Sequence, residues 1–240
     1  MLFLFTCFLS LAASSPASLD THQLVKLLES RYHSPQTLQA TFLERYSENG
    51  RVVRSEAGTA SFRRPGKMRW DYESPEKNLF LVDGKTAWFY VPADHTVTRA
   101  PAKQSSDWRT PLALLAGEMK LSRVCAHVEP TSAEPPDTPG DIVLYCPLRG
   151  EKSSSSKSDS NSSSSSALDS DTPEQSVYLE VAPETGELAR VLVRDKGGVS
   201  IEFKFENWRF NPALPPSFFR FEVPRGVAIV NGEQPPNFSQ

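Results

Sequence analysis

Sequence features that the commoner enzyme classes require are absent from this chain. The four histidines show no metal-type spacing, either among themselves or with the three cysteines. No Gly-x-Ser-x-Gly nucleophile elbow, phosphate-binding glycine loop or His-Glu-x-x-His zinc motif occurs. We therefore predict a protein that is not an enzyme, with no catalytic residue, no metal site and no cofactor.

An excess of basic residues is also absent. The 26 lysines and arginines are outnumbered by 29 aspartates and glutamates, so that the net charge is −3. A protein that binds nucleic acid would carry a basic patch, and an electrostatic grip on anionic lipid would need clustered Lys and Arg. We therefore expect neither nucleic acid nor a charged membrane surface as a partner.

The apolar segment at the start of the chain is too short to cross a bilayer. Residues 1–13 are apolar, and small residues follow at Ala12-Ala13-Ser14 and Pro16-Ala17-Ser18. This pattern predicts a signal peptide over residues 1–17 and export of the protein. The basic residues that usually begin such a peptide are missing, because no Lys or Arg precedes Lys26. A short N-terminal anchor is the alternative.

Aromatic residues are abundant, with 14 Phe, 6 Tyr and 4 Trp. Between Phe62 and Pro92 large apolar residues recur at every second position, as strands with one buried face require. These residues are Phe62, Met68, Trp70, Tyr72, Phe80 and Val82. Asp83-Gly84 between two apolar runs is a strong hairpin signal. The stretch predicts a curved antiparallel sheet with an aromatic concave face and a charged pair, Arg63-Arg64, at its rim.

The same alternation elsewhere in the chain predicts about eleven strands in all, with two or three short helices. One helix is predicted from Ser18 to Tyr32 and another over residues 110–117, where Leu112 and Leu115 share one face. These assignments give a mainly β protein.

The domain organisation follows from these patterns. Residues 18–228 are predicted to form a single domain, followed by a C-terminal tail at residues 229–240. Residues 150–172 are dominated by serine and are predicted to be a disordered loop, because they cannot bury enough apolar surface to offset the cost of ordering.

Two cysteines remain after the predicted signal peptide, which contains Cys7. Leu121–Val128 and Asp141–Leu148 are predicted to be antiparallel strands on either side of a proline-rich turn, which sets Cys125 opposite Cys146. Facing cysteines in an exported protein predict a disulfide. It would close a loop of about 20 residues and contribute about 3 kcal/mol in the chain-entropy model. Two buried free thiols are the alternative.

Four motifs in register resemble those of the periplasmic outer-membrane lipoprotein carrier family, LolA. They are Arg64-Pro65 with Trp70 and VDGKTAWFYVP (residues 82–92), Leu38–Phe42, Thr110-Pro111-Leu112 with Leu114-Leu115, and Phe221–Val227. Together they span nearly the whole predicted domain.

The resemblance implies an incomplete, unclosed antiparallel β-barrel with a lid of short α-helices, enclosing an apolar cavity. It implies a periplasmic chaperone that shields the acyl chains of lipoproteins. Such a carrier accepts lipoproteins from an inner-membrane ABC transporter and passes them to an outer-membrane acceptor. We expect it to act as a monomer.

The resemblance and the alternation together assign roles to individual residues. Arg64 is expected to latch the empty form by bonding backbone carbonyls of the lid; an exposed rim charge is the alternative. Met68 is the expected transporter contact, since some family members carry a ring there. The expected acyl-chain cavity residues are Phe42, Trp70, Tyr72, Trp88, Tyr90, Leu112 and Leu115.

Other functions fit the same patterns. A similar barrel could carry free lipid or glycolipid, or could be the outer-membrane acceptor, itself a lipoprotein. An envelope stress sensor or scaffold that binds protein segments is a second alternative, and a hydrolase with an unrecognised site is a third. A solid sandwich core without a pocket would also account for the rings.

Overall fold

The computed structural model describes residues 20–102, 112, 115–116, 120–149 and 175–232. The predicted signal peptide, the predicted serine-rich loop and most of the predicted helix at 110–117 lie outside these residues. The helices are α1 (Thr21–His33) and α2 (Leu121–Val124). The strands are β1 (Thr37–Glu48), β2 (Arg51–Arg63), β3 (Lys67–Ser74), β4 (Leu79–Val82), β5 (Thr86–Val91), β6 (Thr96–Pro101), β7 (Glu129–Pro130), β8 (Ile142–Pro147), β9 (Gln175–Val181), β10 (Leu188–Asp195), β11 (Val199–Phe210) and β12 (Ala228–Asn231).

The twelve strands of the described residues form one sheet. Its order is β12-β6-β5-β4-β3-β2-β1-β11-β10-β9-β8-β7. Every neighbouring pair is antiparallel except β12 and β6, which are parallel. The two end strands do not pair with each other, so the sheet is open. The predicted fold class, a mainly β protein with an unclosed antiparallel sheet and few short helices, is confirmed.

The tight turns form where the sequence supplies residues that tolerate a positive φ. Asn49 and Gly50 connect β1 to β2 with φ values of 50° and 79°, the backbone that two-residue hairpin turns require. Between β4 and β5 the Asp83 carboxylate accepts bonds from the N–H groups of Lys85 (2.9 Å) and Thr86 (2.8 Å). The local sequence alone therefore determines these two hairpins.

Gly58 bends the sheet at its centre. The register between β2 and β3 shifts between Ala57 and Gly58, as at a β-bulge. A Cβ atom at position 58 would lie 1.9 Å from the carbonyl oxygen of Asp71. Only glycine permits this close approach of the two strands.

Large apolar side chains pack on one side of the curved sheet, which we call the inner face. They come from strands β1 to β5 and from β11, in alternate positions. The inner face is made by Leu38, Ala40, Phe42, Ala60, Phe62, Met68, Trp70, Tyr72, Phe80, Val82, Phe89, Phe203 and Phe205. Helix α1 covers this face with Leu24, Leu28 and Tyr32, which are buried in the same core.

The predicted strand at Leu121–Val128 is wrong. Residues 121–124 form helix α2, in which the Cys125 N–H bonds to the carbonyl of Leu121 at 2.7 Å. Leu121 and Cys125, four residues apart, are buried while Ser122 and Arg123 are exposed, which is helical and not strand spacing. The register is also different from the one that sets Cys125 opposite Cys146, because β7 pairs Glu129 with Tyr145.

The C-terminal segment also differs from the prediction. Pro216–Phe219 is a 3-10 turn and not a strand. Pro215 and Pro216 lack the N–H groups that pairing in a sheet needs. Residues 229–231, assigned to the tail, instead belong to β12, which pairs with β6.

Candidate functional site

Five of the seven predicted cavity residues either belong to the inner face or are buried in the same core. Phe42, Trp70 and Tyr72 project from β1 and β3, and none of the three is more than 7% exposed. Leu112 and Leu115 are buried in the same core, and the N–H of Leu115 bonds to the carbonyl of Leu112 at 3.0 Å. The structure thus brings these predicted lid and wall residues into one apolar cluster.

The aromatic rings of the inner face contact one another around Trp70. The ring centroid of Trp70 lies 4.7 Å from Phe42, 5.8 Å from Phe62, 5.4 Å from Phe203 and 6.1 Å from Phe205. Edge-on and tilted pairs at about 4.5–7 Å are favourable aromatic geometries. A hydrocarbon chain can therefore occupy this part of the face only by separating these rings.

The predicted cavity residues Trp88 and Tyr90 lie on the opposite, outer face of the sheet. In the register of β4 and β5, Leu81 faces Trp88 and Leu79 faces Tyr90. The intervening Phe89 pairs with Phe80, whose other neighbour is Trp70 on the inner face. The assignment to the cavity is therefore wrong by one residue. Three consecutive rings gave no alternation from which the inward side could be predicted.

A C-terminal segment covers these outer rings. The centroid of Phe221 lies 5.4 Å from Trp88 and 5.6 Å from Tyr90. Farther back, Arg69 donates to the carbonyl of Phe218 at 3.1 Å, and its guanidinium lies 4.5 Å from the Phe218 ring centroid. The outer rings thus hold the C-terminal segment against the sheet.

Met68, the predicted transporter contact, is a buried residue of the inner face. It pairs with Phe62 on β2 and with Val82 on β4, and it is 9% exposed. A partner could touch its side chain only after the surrounding residues moved.

Arg64, the predicted latch, follows β2 at the rim of the sheet. Its backbone N–H bonds to the carbonyl of Gln36 at 3.0 Å. The residue as a whole is half-buried, yet Nε, Nη1 and Nη2 are enclosed and have no hydrogen-bond partner within the described residues. Burial lowers the pKa of this guanidinium below its ordinary value. Its neighbour Arg63 instead donates from Nη1 to the carbonyl of Leu214 at 2.9 Å.

The C-terminal end of helix α1 is firmly attached to the sheet. The Tyr32 hydroxyl accepts a bond from the Leu188 N–H at 2.8 Å, and burial raises the pKa of Tyr32 above its ordinary value. Arg31 pairs with Glu187 at 2.5 Å. Gly186, with a φ of +68°, lets the turn before β10 approach the helix backbone. Helix α1 is therefore a fixed part of the cover.

Helix α2 is tied at both ends. The Glu29 carboxylate of α1 accepts a bond from the Leu121 N–H at 2.8 Å. At the other end Cys125 and Cys146 form a disulfide with an Sγ–Sγ distance of 2.08 Å. Cys125 reaches this position through an isolated bridge with Leu148, not through the predicted pair of strands. The disulfide therefore connects the end of helix α2 to strand β8.

Charged residues end the inner face near the β1–β2 hairpin. Glu44 on β1 lies directly opposite Glu56 on β2, and both are buried. The Tyr72 hydroxyl donates to Glu44 Oε2 at 2.9 Å, and Arg54 pairs with Glu56 at 3.1 Å. Burial raises the pKa of Glu56, and the charge of Arg54 opposes that shift. No sequence pattern pointed to these residues, although both glutamates stand two positions beyond inward-facing positions of their strands.

Two other kinds of site are absent from the described residues. No group of three or more His, Cys, Asp or Glu side chains there could hold a metal ion. None of the helices in the described ranges has the length and apolar character needed to cross a membrane.

Comparisons with known proteins agree with these features. The family described as outer membrane lipoprotein carrier protein LolA matches residues 33–134. The outer-membrane lipoprotein carrier protein of Chromobacterium violaceum is 29% identical over 224 residues, which cover 93% of this chain and 92% of the relative. The protein of the same name from Nitrosomonas europaea is 28% identical over 209 residues, or 86% of this chain and 88% of the relative.

A solved structure shows the same fold. The crystal structure of an uncharacterized conserved protein from Thermus thermophilus superposes with a TM-score of 0.52. The match covers 88% of this chain and 98% of that chain, at 13% sequence identity. At this identity the similarity concerns the fold alone.

Proposed function

We propose that this chain, which is similar to the outer membrane lipoprotein carrier family LolA, carries lipoproteins across the periplasm. In this proposal the inner face shields the acyl chains of the lipoprotein from water. The observation that carries the proposal is the aromatic inner face itself, which lies under helix α1 together with Leu112 and Leu115. We further propose that the carrier receives its cargo from an inner-membrane ABC transporter and delivers it to an outer-membrane acceptor.

The free energy of acyl-chain burial supports transfer through docked partners. Each buried methylene contributes about 0.8 kcal/mol, so one long acyl chain is held by on the order of 10 kcal/mol. Spontaneous release into water would be slow at that affinity. A carrier of this kind therefore passes its cargo directly from its own pocket to that of a partner.

The ring contacts around Trp70 moderate this affinity. Each aromatic pair stabilises the closed, empty form by about 0.5–1.5 kcal/mol beyond its buried area. Entry of an acyl chain separates Trp70 from rings such as Phe42 and Phe203 and so loses part of this energy. The empty form is favoured to that extent, which assists delivery of the cargo.

We propose that Arg64 adds to the stability of the closed form. Its three enclosed nitrogens need acceptors, and backbone carbonyls of the segment that contains Leu112 are the acceptors implied by the family. A hydrogen bond from a charged group contributes about 1.5–3 kcal/mol. Such bonds are strong enough to bias an opening equilibrium yet weak beside a bound acyl chain.

Purification from the periplasm of its own host, followed by mass spectrometry of the intact complex, tests the proposal. We expect a lipoprotein to co-purify, and we expect added protein to release lipoproteins from spheroplasts. Free glycolipid in the complex would favour a carrier of lipid alone, and a bound peptide with no lipid would favour a sensor or scaffold. Lipoproteins that stay in the spheroplast membrane at every protein concentration would contradict the carrier role.

A further inference from the structure

The apolar part of the inner face ends at the same level on two neighbouring strands. On β1 the inward side chains Leu38, Ala40 and Phe42 are followed by Glu44. On β2, read in the opposite direction, Phe62, Ala60 and Gly58 are followed by Glu56, which is the cross-strand partner of Glu44. The change from apolar to charged side chains therefore occurs at the same height on both strands, and we call this height the polar level.

The charged side chains at this level are held in place by hydrogen bonds and ion pairs. Glu44 accepts a hydrogen bond from the Tyr72 hydroxyl at 2.9 Å. The ring of Tyr72 belongs to the apolar inner face, and its hydroxyl lies where the polar level begins. Arg54 pairs with Glu56 at 3.1 Å, and its guanidinium lies 5.8 Å from the ring centroid of Tyr46. Glu44 is 5% exposed and Glu56 is 7% exposed. Both carboxylates thus lie inside the protein, against the core.

An alkyl chain cannot replace the partners of these buried carboxylates. A hydrocarbon that reached past Phe42 towards Glu44 would separate charged and hydrogen-bonded groups without offering a polar atom, which is strongly unfavourable. On the β11 side of the same level Phe203 faces Glu44 and remains apolar. The barrier to a chain therefore lies along β1, β2 and β3 and does not extend to β11.

We propose that Glu44, Arg54, Glu56 and the Tyr72 hydroxyl form the polar end of the acyl pocket and set how far a chain extends along β1–β3. These residues would select among acyl chains by length. The inference rests on the proposed carrier function, because it concerns the same inner face. The proposed ligand is a saturated acyl chain. The four residues would select chains by the number of methylenes that extend beyond the aromatic cluster around Trp70.

A chain-length series tests the inference. Saturated fatty acids of increasing length, each below its aggregation concentration, displace an apolar fluorescent dye from the delipidated protein. For the natural protein, affinity should rise about fourfold per methylene, the equivalent of about 0.8 kcal/mol, and then level off. In the double variant Glu44→Leu/Glu56→Leu the rise should continue for about five more methylenes, because the next inward level of the strands is about 7 Å away.

Two further variants complete the test. Glu73→Leu removes an exposed carboxylate next to Tyr72 and should leave the length profile unchanged. Glu44→Gln/Glu56→Gln keeps the shape and the hydrogen-bonding capacity while removing the charge, so it serves where the leucine variant fails to fold. It should shift the plateau in the same direction by a smaller amount.

The outcomes separate this inference from the carrier function. If the natural protein binds the acids but the folded variants level off at the same length, the polar end does not set the length. A plateau shift in Glu73→Leu equal to that of the double variant would also overturn it. If the natural protein binds no acid of any length, the acyl pocket itself is refuted.

Discussion

Replacing Trp70 by alanine tests two roles of the aromatic cluster, which are to stabilise the fold and to keep the acyl pocket closed when no ligand is bound. Trp70 is 2% exposed, and its ring contacts Phe42, Phe62, Phe203 and Phe205. Truncation of a buried tryptophan leaves a cavity that the surrounding strands fill only partly. We expect the free energy of unfolding to fall by about 3–5 kcal/mol.

The same substitution should strengthen the binding of an apolar ligand. In the natural protein an entering chain separates Trp70 from its partners, at about 0.5–1.5 kcal/mol for each ring pair. The alanine variant has no such pairs to lose. If two pairs are involved, the total is about 1–3 kcal/mol, and affinity for a saturated fatty acid should rise on the order of 5–150-fold.

Trp88→Ala is the matched control, because it removes the same side chain from the opposite face of the sheet. Trp88 is half-buried, lies 5.4 Å from Phe221, and its indole N–H donates to Asp83 at 3.3 Å. Its loss should cost about 1–2 kcal/mol of stability. Ligand affinity should not change, because the ring lies outside the pocket.

Urea denaturation followed by far-UV circular dichroism measures the stabilities, since tryptophan fluorescence itself changes in both variants. Titration calorimetry with a fatty acid measures the affinities. Equal effects of the two substitutions on affinity would refute the assignment of the two faces. Unchanged affinity in Trp70→Ala would show that the ring cluster does not have to open when the ligand enters.

Three further predictions concern the latch, the disulfide and the β4–β5 turn. Arg64→Leu should take up lipoprotein normally but deliver it poorly in a transfer assay between donor and acceptor membranes. The control is Arg63→Leu, which should deliver normally because the natural Arg63 side chain bonds outside the pocket. Equal delivery by both variants would contradict the latch role. The double variant Cys125→Ser/Cys146→Ser should lose about 3 kcal/mol of unfolding free energy, measured by urea denaturation, because the bridge closes a loop of about 20 residues; no difference between the reduced and oxidised natural protein would contradict this. Burial opposes the ionisation of Asp83, but hydrogen bonds from Thr86, Lys85 and Trp88 outweigh this effect and lower the pKa of the carboxyl. The stabilising contribution of the Asp83 carboxylate should therefore be lost as pH falls below the unfolded pKa of about 3.9. Asp83→Asn should lose less stability in acid than the natural protein, and identical pH profiles of the two proteins would contradict the assignment.

Local signals were sufficient for the parts of the fold that depend on neighbouring residues. Asn49-Gly50 and Asp83-Gly84 specify their turns, because each places a residue of positive φ between two apolar strands. The period-two pattern of Met68, Trp70 and Tyr72 correctly predicted their common face. The contact with Asp71 that requires glycine at position 58, by contrast, is visible only in the folded sheet.

Local signals failed where contacts between distant residues decide the structure. Trp88, Phe89 and Tyr90 are all large and apolar, so the pairing of β5 with β4 decides which ring faces inward. Leu121–Val124 became a helix because both Leu121 and Cys125 are buried, and the disulfide to Cys146 holds that turn against β8. The polar level at Glu44 was missed because nothing local distinguishes a buried strand glutamate from a solvated one.

Short segments of the sequence were enough to predict a mainly β protein that resembles a lipoprotein carrier family, since period-two alternation, turn residues and four motifs in register are properties of such segments. Only the tertiary structure decided which rings form the inner face and where that face ends. Sidedness depends on the register between strands, and a shift of one residue exchanges the two faces of a strand. Burial of Glu44 opposite Glu56 likewise arises only when two strands meet.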